Sequence, residues 1–172
     1  MLKPAHSKAL SCLTILCAGL FAWMTACLIT GTAYPVMVVS SESMEPTFYR
    51  GDLILLWNRR HTLRAGDIPV VWFDGYPRPM VHRAIKVFDE EINEGPLTRT
   101  RQLILTQGDN NAVDDTSLYP RGQSFVYREN VIGLVYGHVP YVGTMSLGLK
   151  DIAGPSFLSI VAAGLIVYGL IA

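Results

Sequence analysis

The chain has 172 residues, half of them hydrophobic, with 14 lysines and arginines balanced by 14 aspartates and glutamates. That length holds one domain of ordinary size, less whatever enters a membrane, and the charge balance argues against a basic nucleic-acid-binding surface. All three cysteines, Cys12, Cys17 and Cys27, lie in the first apolar segment without metal-ligand spacing, so neither disulfides nor a metal are expected in the body.

In chain order, residues 1–9 form a short polar start carrying Lys3 and Lys8. Leu10 to Thr30 follows, 21 residues without a charge, long enough for a hydrocarbon core of roughly 30 Å at ~1.5 Å per residue. With Lys3 and Lys8 before it, Glu42 the next charge after it and Arg50 the next positive one, the positive-inside bias places the start in the cytoplasm and the body across the membrane. A cleaved signal peptide is the rival, because Gly31-Thr32-Ala33 offers small residues at the right offsets. The apolar run exceeds the ~7–15 residues of such a segment, which favours an uncleaved signal-anchor.

From residue 31 to 153 short strand-like runs alternate with turn signals: Val36–Val39, Leu53–Trp57, Ile68–Phe73, Met80–Val87, Leu103–Thr106 and Val131–Tyr136. This spacing predicts a mainly β domain, an antiparallel sheet or barrel-like arrangement rather than βαβ units. Pro69 pushes its strand towards an edge, Asp89–Thr100 reads as an exposed connection, and Asp109–Gly122 as a long polar loop. Period two along Met80–Val87 puts His82, Ala84 and Lys86 on one face and Arg83 on the other.

The stretch Val38-Val39-Ser40-Ser41-Glu42-Ser43-Met44-Glu45-Pro46 leaves a strand and sets two hydroxyls two residues apart, with Pro46 blocking a helix. A Ser-rich turn explains it on local pattern alone. A serine nucleophile at a strand end explains it too, provided a base lies nearby. Of the candidate bases His61, His82, His138, Lys86 and Lys150, a lysine needs desolvation worth ~3 pKa units, whereas histidine works near neutrality. His82, within an apolar strand, is the best placed; His61 sits in an Arg-rich turn and His138 in a loop before Pro140. Carboxylates follow in Thr106-Gln107-Gly108-Asp109-Asn110-Asn111-Ala112-Val113-Asp114-Asp115. A calcium loop fails on spacing, since Asp114 stands where glycine is needed and Pro120 where glutamate is needed. An acid from this stretch would orient the imidazole, and local reasoning leaves Asp109, Asp114 and Asp115 open.

Taken together, Ser41-Glu42-Ser43-Met44-Glu45-Pro46, Arg50-Gly51-Asp52, Gly66-Asp67, Val81-His82-Arg83 and Gly108-Asp109-Asn110-Asn111-Ala112-Val113-Asp114-Asp115 resemble the type I signal peptidases. The match is to their endoplasmic-reticulum branch, and the ordered motifs span nearly the whole chain. The resemblance implies Ser43 as nucleophile, His82 where bacterial relatives carry lysine, Asp115 as the third triad member, and Asp109 supporting the site. It implies no cofactor. It implies a single-pass endoplasmic-reticulum membrane protein with a lumenal catalytic domain, signal peptides with small-x-small sites as substrates, and accessory subunits as partners. One departure is Glu42, where the family commonly has glycine.

The chemistry then expected is attack by Ser43 with His82 as general base. The Ser43 backbone N–H and the Ser41 hydroxyl are the expected oxyanion donors, one such donor contributing on the order of 3 kcal/mol. An extended substrate would add beside Val36–Ser41. After Gly154-Pro155, the charge-free stretch Ser156–Ala172 is at the short limit for a span, so residues 154–172 are expected to form a short membrane-embedded helix. The alternative is a non-catalytic membrane-anchored β-domain that scaffolds or binds partners. A Ser–Lys protease using Lys86 is a third reading.

Overall fold

The computed structural model describes residues 4–94, 97–144 and 147. Two units are distinguished, one containing the first helix and the other running from Thr30 to Gly143. The helix expected at 154–172 lies outside the described residues.

Helix α1 covers Pro4–Thr30, and within it Leu10–Thr30 is long and apolar enough to cross a membrane. Its large side chains, among them Leu13, Ile15, Leu16, Leu20 and Phe21, are exposed around the helix rather than gathered under one buried face. The polar groups in this stretch turn inward on the backbone. Thr14 Oγ1 donates to the Leu10 carbonyl and Thr25 Oγ1 to that of Phe21, at 2.9 and 2.8 Å. Such back-bonding is how hydroxyls are tolerated in an apolar medium.

The second unit is mainly β and antiparallel. Strands β1 (Val36–Val38), β2 (Leu53–Trp57), β3 (Pro69–Val71), β4 (Met80–Val81) and β7 (Val131–Val139) form one sheet in the order β1-β2-β7-β3-β4. Strands β5 (Arg83–Glu94) and β6 (Leu97–Gln107) form a two-stranded ribbon. In β2 the alternation is direct: Ile54 and Leu56 are buried, Leu55 and Trp57 exposed. Strand β7 carries two extra residues against its partners. Leu55 and Leu56 face Gly137 and Val135, skipping Tyr136, and Val70 and Val71 face Gly133 and Val131, skipping Ile132. Bulges of this kind increase local twist and curl a sheet. At Gly133 a Cβ would stand 3.1 Å from the Cβ of Leu56, so a larger residue there would need Leu56 to shift by a few tenths of an ångström.

Two apolar clusters form the core. One holds Val39, Met44, Phe48, Ile54, Leu56 and Val70; the other includes Val71, Phe73, Ala84, Ile104, Tyr119 and Val126. Consecutive residues Val70 and Val71 serve different clusters, as period two requires.

Four expectations are corrected. Pro69 does not mark an edge, since β3 lies between β7 and β4. It is tolerated because it is the strand's first residue and β4 pairs only with Val70 and Val71. Asp89–Thr100 is not a loose connection, because pairing of β5 with β6 continues to Glu94 opposite Leu97. Opposed charges replace apolar alternation there, with Glu90 across from Arg101 and Asp89 accepting from Gln102 Nε2 at 3.2 Å. Met80–Val87 is two strands that break at His82, with an extra residue, Ile85, just beyond. Finally, His138 lies within β7 opposite Ile54, its ring against Phe48, rather than in a loop.

Candidate active site

The segment after β1 leaves the sheet at Val39 and is pinned at both ends by its apolar residues. Val39, Met44 and Phe48 are all buried in the first cluster. Between them Ser41 and Glu42 are exposed and Ser43 is half-buried. A hydroxyl next to a nearly inaccessible Met44 is held in place without being covered. The turn that follows is closed by the buried Asp52, which accepts from the Tyr49 and Tyr141 N–H groups at 2.9 and 3.1 Å. Gly51, at φ +97°, supplies the left-handed residue this turn needs. Gly66-Asp67 works alike: Gly66 has φ +95°, and Asp67 accepts from the Arg64 N–H and pairs with Arg60.

His82 is presented by the break between β4 and β5 and is buried. Its Nε2 lies 3.0 Å from Ser43 Oγ, and its Nδ1 lies 2.7 Å from Asp115 Oδ2. A carboxylate only accepts, so Nδ1 carries the ring proton and Nε2 is left to accept from the Ser43 hydroxyl. Ser41 Oγ, 3.2 Å from Ser43 Oγ, then donates to it. Asp115 opens a 3-10 turn, Asp115–Leu118, whose preceding residue Asp114 caps it by accepting from the Thr116 N–H and hydroxyl. These two bonds, the hydroxyl first, hold the Asp114 carboxyl below its ordinary range. Asp114 is therefore a cap and Asp115 the residue at the imidazole.

Asp109 stands elsewhere. Arg83 Nε and Nη2 donate to its two oxygens at 2.8 and 2.6 Å, and Thr47 Oγ1 donates to Oδ2. The Arg83 bonds above all, with Thr47 helping, hold the Asp109 carboxyl below its ordinary value, and the same pairing raises Arg83. Arg83 also reaches the Gly66 carbonyl at 3.1 Å and Thr47 Oγ1 at 3.2 Å.

The loop carrying Asp109 grips the Glu42–Ser43 backbone. The Asn110 N–H donates to the Ser43 carbonyl at 2.9 Å, and Asn110 Nδ2 to the Glu42 carbonyl at 3.1 Å. Gly108 permits the approach: a Cβ there would meet the Ser43 carbonyl oxygen at 2.6 Å. Glu42 has no positive φ and its side chain is exposed, so the site's backbone does not demand glycine at that position.

Lys86 does not share the His82 face as period two predicted. Ile85 is an extra residue against β6, so Ala84 is buried while Lys86 is exposed. His61 is exposed. Sequence reasoning missed Asn110, Gly108, Thr106 and Tyr119 as parts of the site. Thr106, Gly108 and Asn110 stood inside a stretch already singled out, but nothing local marks their contacts. Among the described residues no group of three or more His, Cys, Asp or Glu is placed to hold a metal ion.

The chain is similar to known proteins over most of its length. The Peptidase S24-like family model matches residues 10–94. The signal peptidase complex catalytic subunit SEC11 of Candida albicans (strain WO-1) is 40% identical over 151 residues, covering 87% of this chain and 86% of that protein. The corresponding subunit of Emericella nidulans is 37% identical over 161 residues, covering 87% and 83%. That of Sclerotinia sclerotiorum is 38% identical over 151 residues, again covering 87% and 83%. With this identity across nearly the whole of both partners, the chain belongs to the family of signal peptidase complex catalytic subunits and is a serine peptidase.

Proposed function

We propose that this protein removes signal peptides from proteins translocated into the endoplasmic reticulum, as the catalytic member of a complex with accessory subunits. Leu10–Thr30 is its single membrane anchor, with residues 1–9 cytoplasmic, the peptidase domain of residues 31–153 on the lumenal side, and residues 154–172 held at the membrane. The observation that carries the catalytic part is His82, within hydrogen-bond distance of both Ser43 Oγ and Asp115 Oδ2.

Ser43 attacks the scissile carbonyl while His82 takes its proton, and the imidazolium is stabilised by Asp115. His82 then hands the proton to the leaving amine, and water releases the acyl-enzyme by the same base. The Ser43 N–H and the Ser41 hydroxyl serve the oxyanion, and Asp109 supports the site through Arg83 and Thr47. The substrate strand adds to β1, which pairs only with β2 among the described strands. On this reading, shallow apolar pockets beside the added strand accept only small side chains at the cleavage site.

The test is Ser43→Ala in the assembled complex, scored by processing of a preprotein. Cleavage is expected to fall about a million-fold, to background. Unchanged cleavage would leave the non-catalytic β-domain as the surviving reading.

A further inference from the structure

Asp115 is held in an unusual way. It is buried, and both hydrogen bonds to its carboxylate fall on one oxygen: Oδ2 receives His82 Nδ1 at 2.7 Å and Thr106 Oγ1 at 2.6 Å. The other oxygen, Oδ1, is also buried and receives no hydrogen bond among the described residues. Apart from the histidine it must orient, Thr106 is the one residue among those described that aims the carboxylate. Thr106 is completely buried at the end of β6.

Thr106 is itself constrained. Its N–H donates to the Tyr119 hydroxyl at 2.9 Å, and its own Oγ1 lies 3.0 Å from that hydroxyl. A carboxylate has no proton to give, so the Thr106 hydroxyl donates to Asp115 and the Tyr119 hydroxyl must donate to Thr106. Burial raises the Tyr119 phenol above its ordinary value, which keeps it a donor. Every proton is thereby assigned. One series runs Ser41 to Ser43 to His82 to Asp115, and a second runs Tyr119 to Thr106 to Asp115, both ending on the same oxygen. Tyr119 caps the 3-10 turn that Asp115 opens, and its ring packs on Phe73. The second series thus fastens both ends of the turn to one residue of β6.

We infer that Thr106 and Tyr119 are positioning residues of the peptidase reaction, a buried threonine–tyrosine brace that aims the Asp115 carboxylate at His82. This rests on the triad reading above and deepens it. Thr106 is fully buried, and its side-chain hydrogen bonds run to Asp115 and Tyr119. Its removal should weaken the proton-transfer step and leave substrate binding alone, because an interaction expressed in the transition state lowers kcat without raising KM. Tyr119 acts only through Thr106, so the two effects should not multiply.

The experiment uses the assembled complex, with active sites counted by a covalent serine-reactive fluorophosphonate and rates taken per active site. Thr106→Val should lower kcat roughly thirtyfold with KM unchanged, in line with loss of a hydrogen bond to a charged group. Thr106→Ser should return it to within about threefold of wild type, since the donor is restored. Tyr119→Phe should cost about fivefold, because it leaves the Thr106 hydroxyl in place but unaimed. The double variant Thr106→Val/Tyr119→Phe should equal Thr106→Val alone. A purely architectural role would reduce the number of active sites and leave kcat per site unchanged, which would overturn the inference. So would multiplicative losses in the double variant. If Thr106→Val does not assemble, Tyr119→Phe decides, and an unchanged kcat in that variant sinks the brace. Ser43→Ala run alongside separates the two claims. Residual cleavage there defeats the triad reading, whereas its loss together with a fully active Thr106→Val defeats only this one.

Discussion

Two neighbouring residues, His82 and Arg83, each meet an aspartate of the stretch that follows β6, and the two pairs make an instructive contrast. His82–Asp115 is almost fully enclosed, with side chains 6% and 1% exposed. Arg83–Asp109 is partly open to solvent, at 32% and 16%. Both pairs are short and well directed. On the proposed mechanism the imidazole of the enclosed pair gains its charge when it takes the Ser43 proton, so the carboxylate's effect would be felt in the transition state. In the open pair both partners are already charged, and the bidentate fork of the guanidinium fixes a backbone loop. On that reading the same kind of contact serves chemistry in one case and architecture in the other, because of when the charge forms and how much water is nearby.

Breaking the two pairs in the same manner should separate these roles most sharply. Asp115→Asn is expected to lower kcat about ten-thousand-fold, since an amide can present its N–H to Nδ1 and stabilise the wrong tautomer. Asp109→Asn keeps an acceptor for Arg83 and Thr47 and should cost less than tenfold in kcat, its main effect falling on stability. Steady-state cleavage of a preprotein by the two variants checks this. Equal losses would mean that Asp109 belongs to the reacting groups and that the contrast is false.

The enclosed pair was only half legible in the sequence. His82 stood out as a titratable group inside an apolar run, and Ser43 as a hydroxyl at a strand end followed by proline. Asp115 was one of three acids in a polar loop, and its choice came from resemblance rather than from any local pattern. What distinguishes it is a cap: Asp114 takes up the N-terminal groups of the 3-10 turn, so Asp115 is free to turn inward. Pairing over Asp89–Thr100 was missed because a ribbon stabilised by opposed charges has no apolar alternation to read. The face assigned to Lys86 failed because one extra residue at Ile85 resets a period-two pattern, and bulges leave no mark in composition. Contacts that join residues far apart, such as Arg128 Nη2 to the Asn58 side chain at 2.6 Å, are tertiary facts that no window of sequence contains.

A second prediction probes how the open pair acts at a distance. The loop fastened by Arg83 and Asp109 presents Gly108 and Asn110 to the backbone of Ser43. Gly108→Ala places a Cβ 2.6 Å from the Ser43 carbonyl oxygen and 2.7 Å from Asn111 Nδ2. The amide side chain can swing away, but the carbonyl belongs to Ser43's own backbone and cannot move without moving its Oγ. A displacement of about 1 Å at a reacting group costs on the order of a hundredfold in rate. The expected loss therefore falls between those of Asp115→Asn and Asp109→Asn. It should appear in kcat, with reaction of Ser43 towards a fluorophosphonate slowed in parallel. Normal labelling with slow cleavage would place the fault in substrate binding instead.

The smallest effect should be the most specific, and it concerns acid. Asp109 is held below the ordinary carboxyl value, first by its bonds to Arg83 and then by Thr47. In the unfolded chain an aspartate takes up its proton near pH ~3.9, so between that pH and the lower folded value the unfolded state binds more protons. Stability from this residue is therefore complete above the unfolded value, from about pH 5 upward, and is lost as pH falls through the folded value. Asp109→Asn cannot titrate. The stability difference between wild type and variant should be about 1 kcal/mol at pH 6 and should shrink on acidification towards pH 3, read from urea midpoints of the detergent-solubilised chain. Asp114, also held below its ordinary value, is present in both proteins and drops out of the difference. A difference that stayed constant with pH would show that Asp109 serves as a shape-filling acceptor and not as a charge. The open pair would then owe its grip on the loop to hydrogen-bond geometry alone, as a neutral amide in its place would.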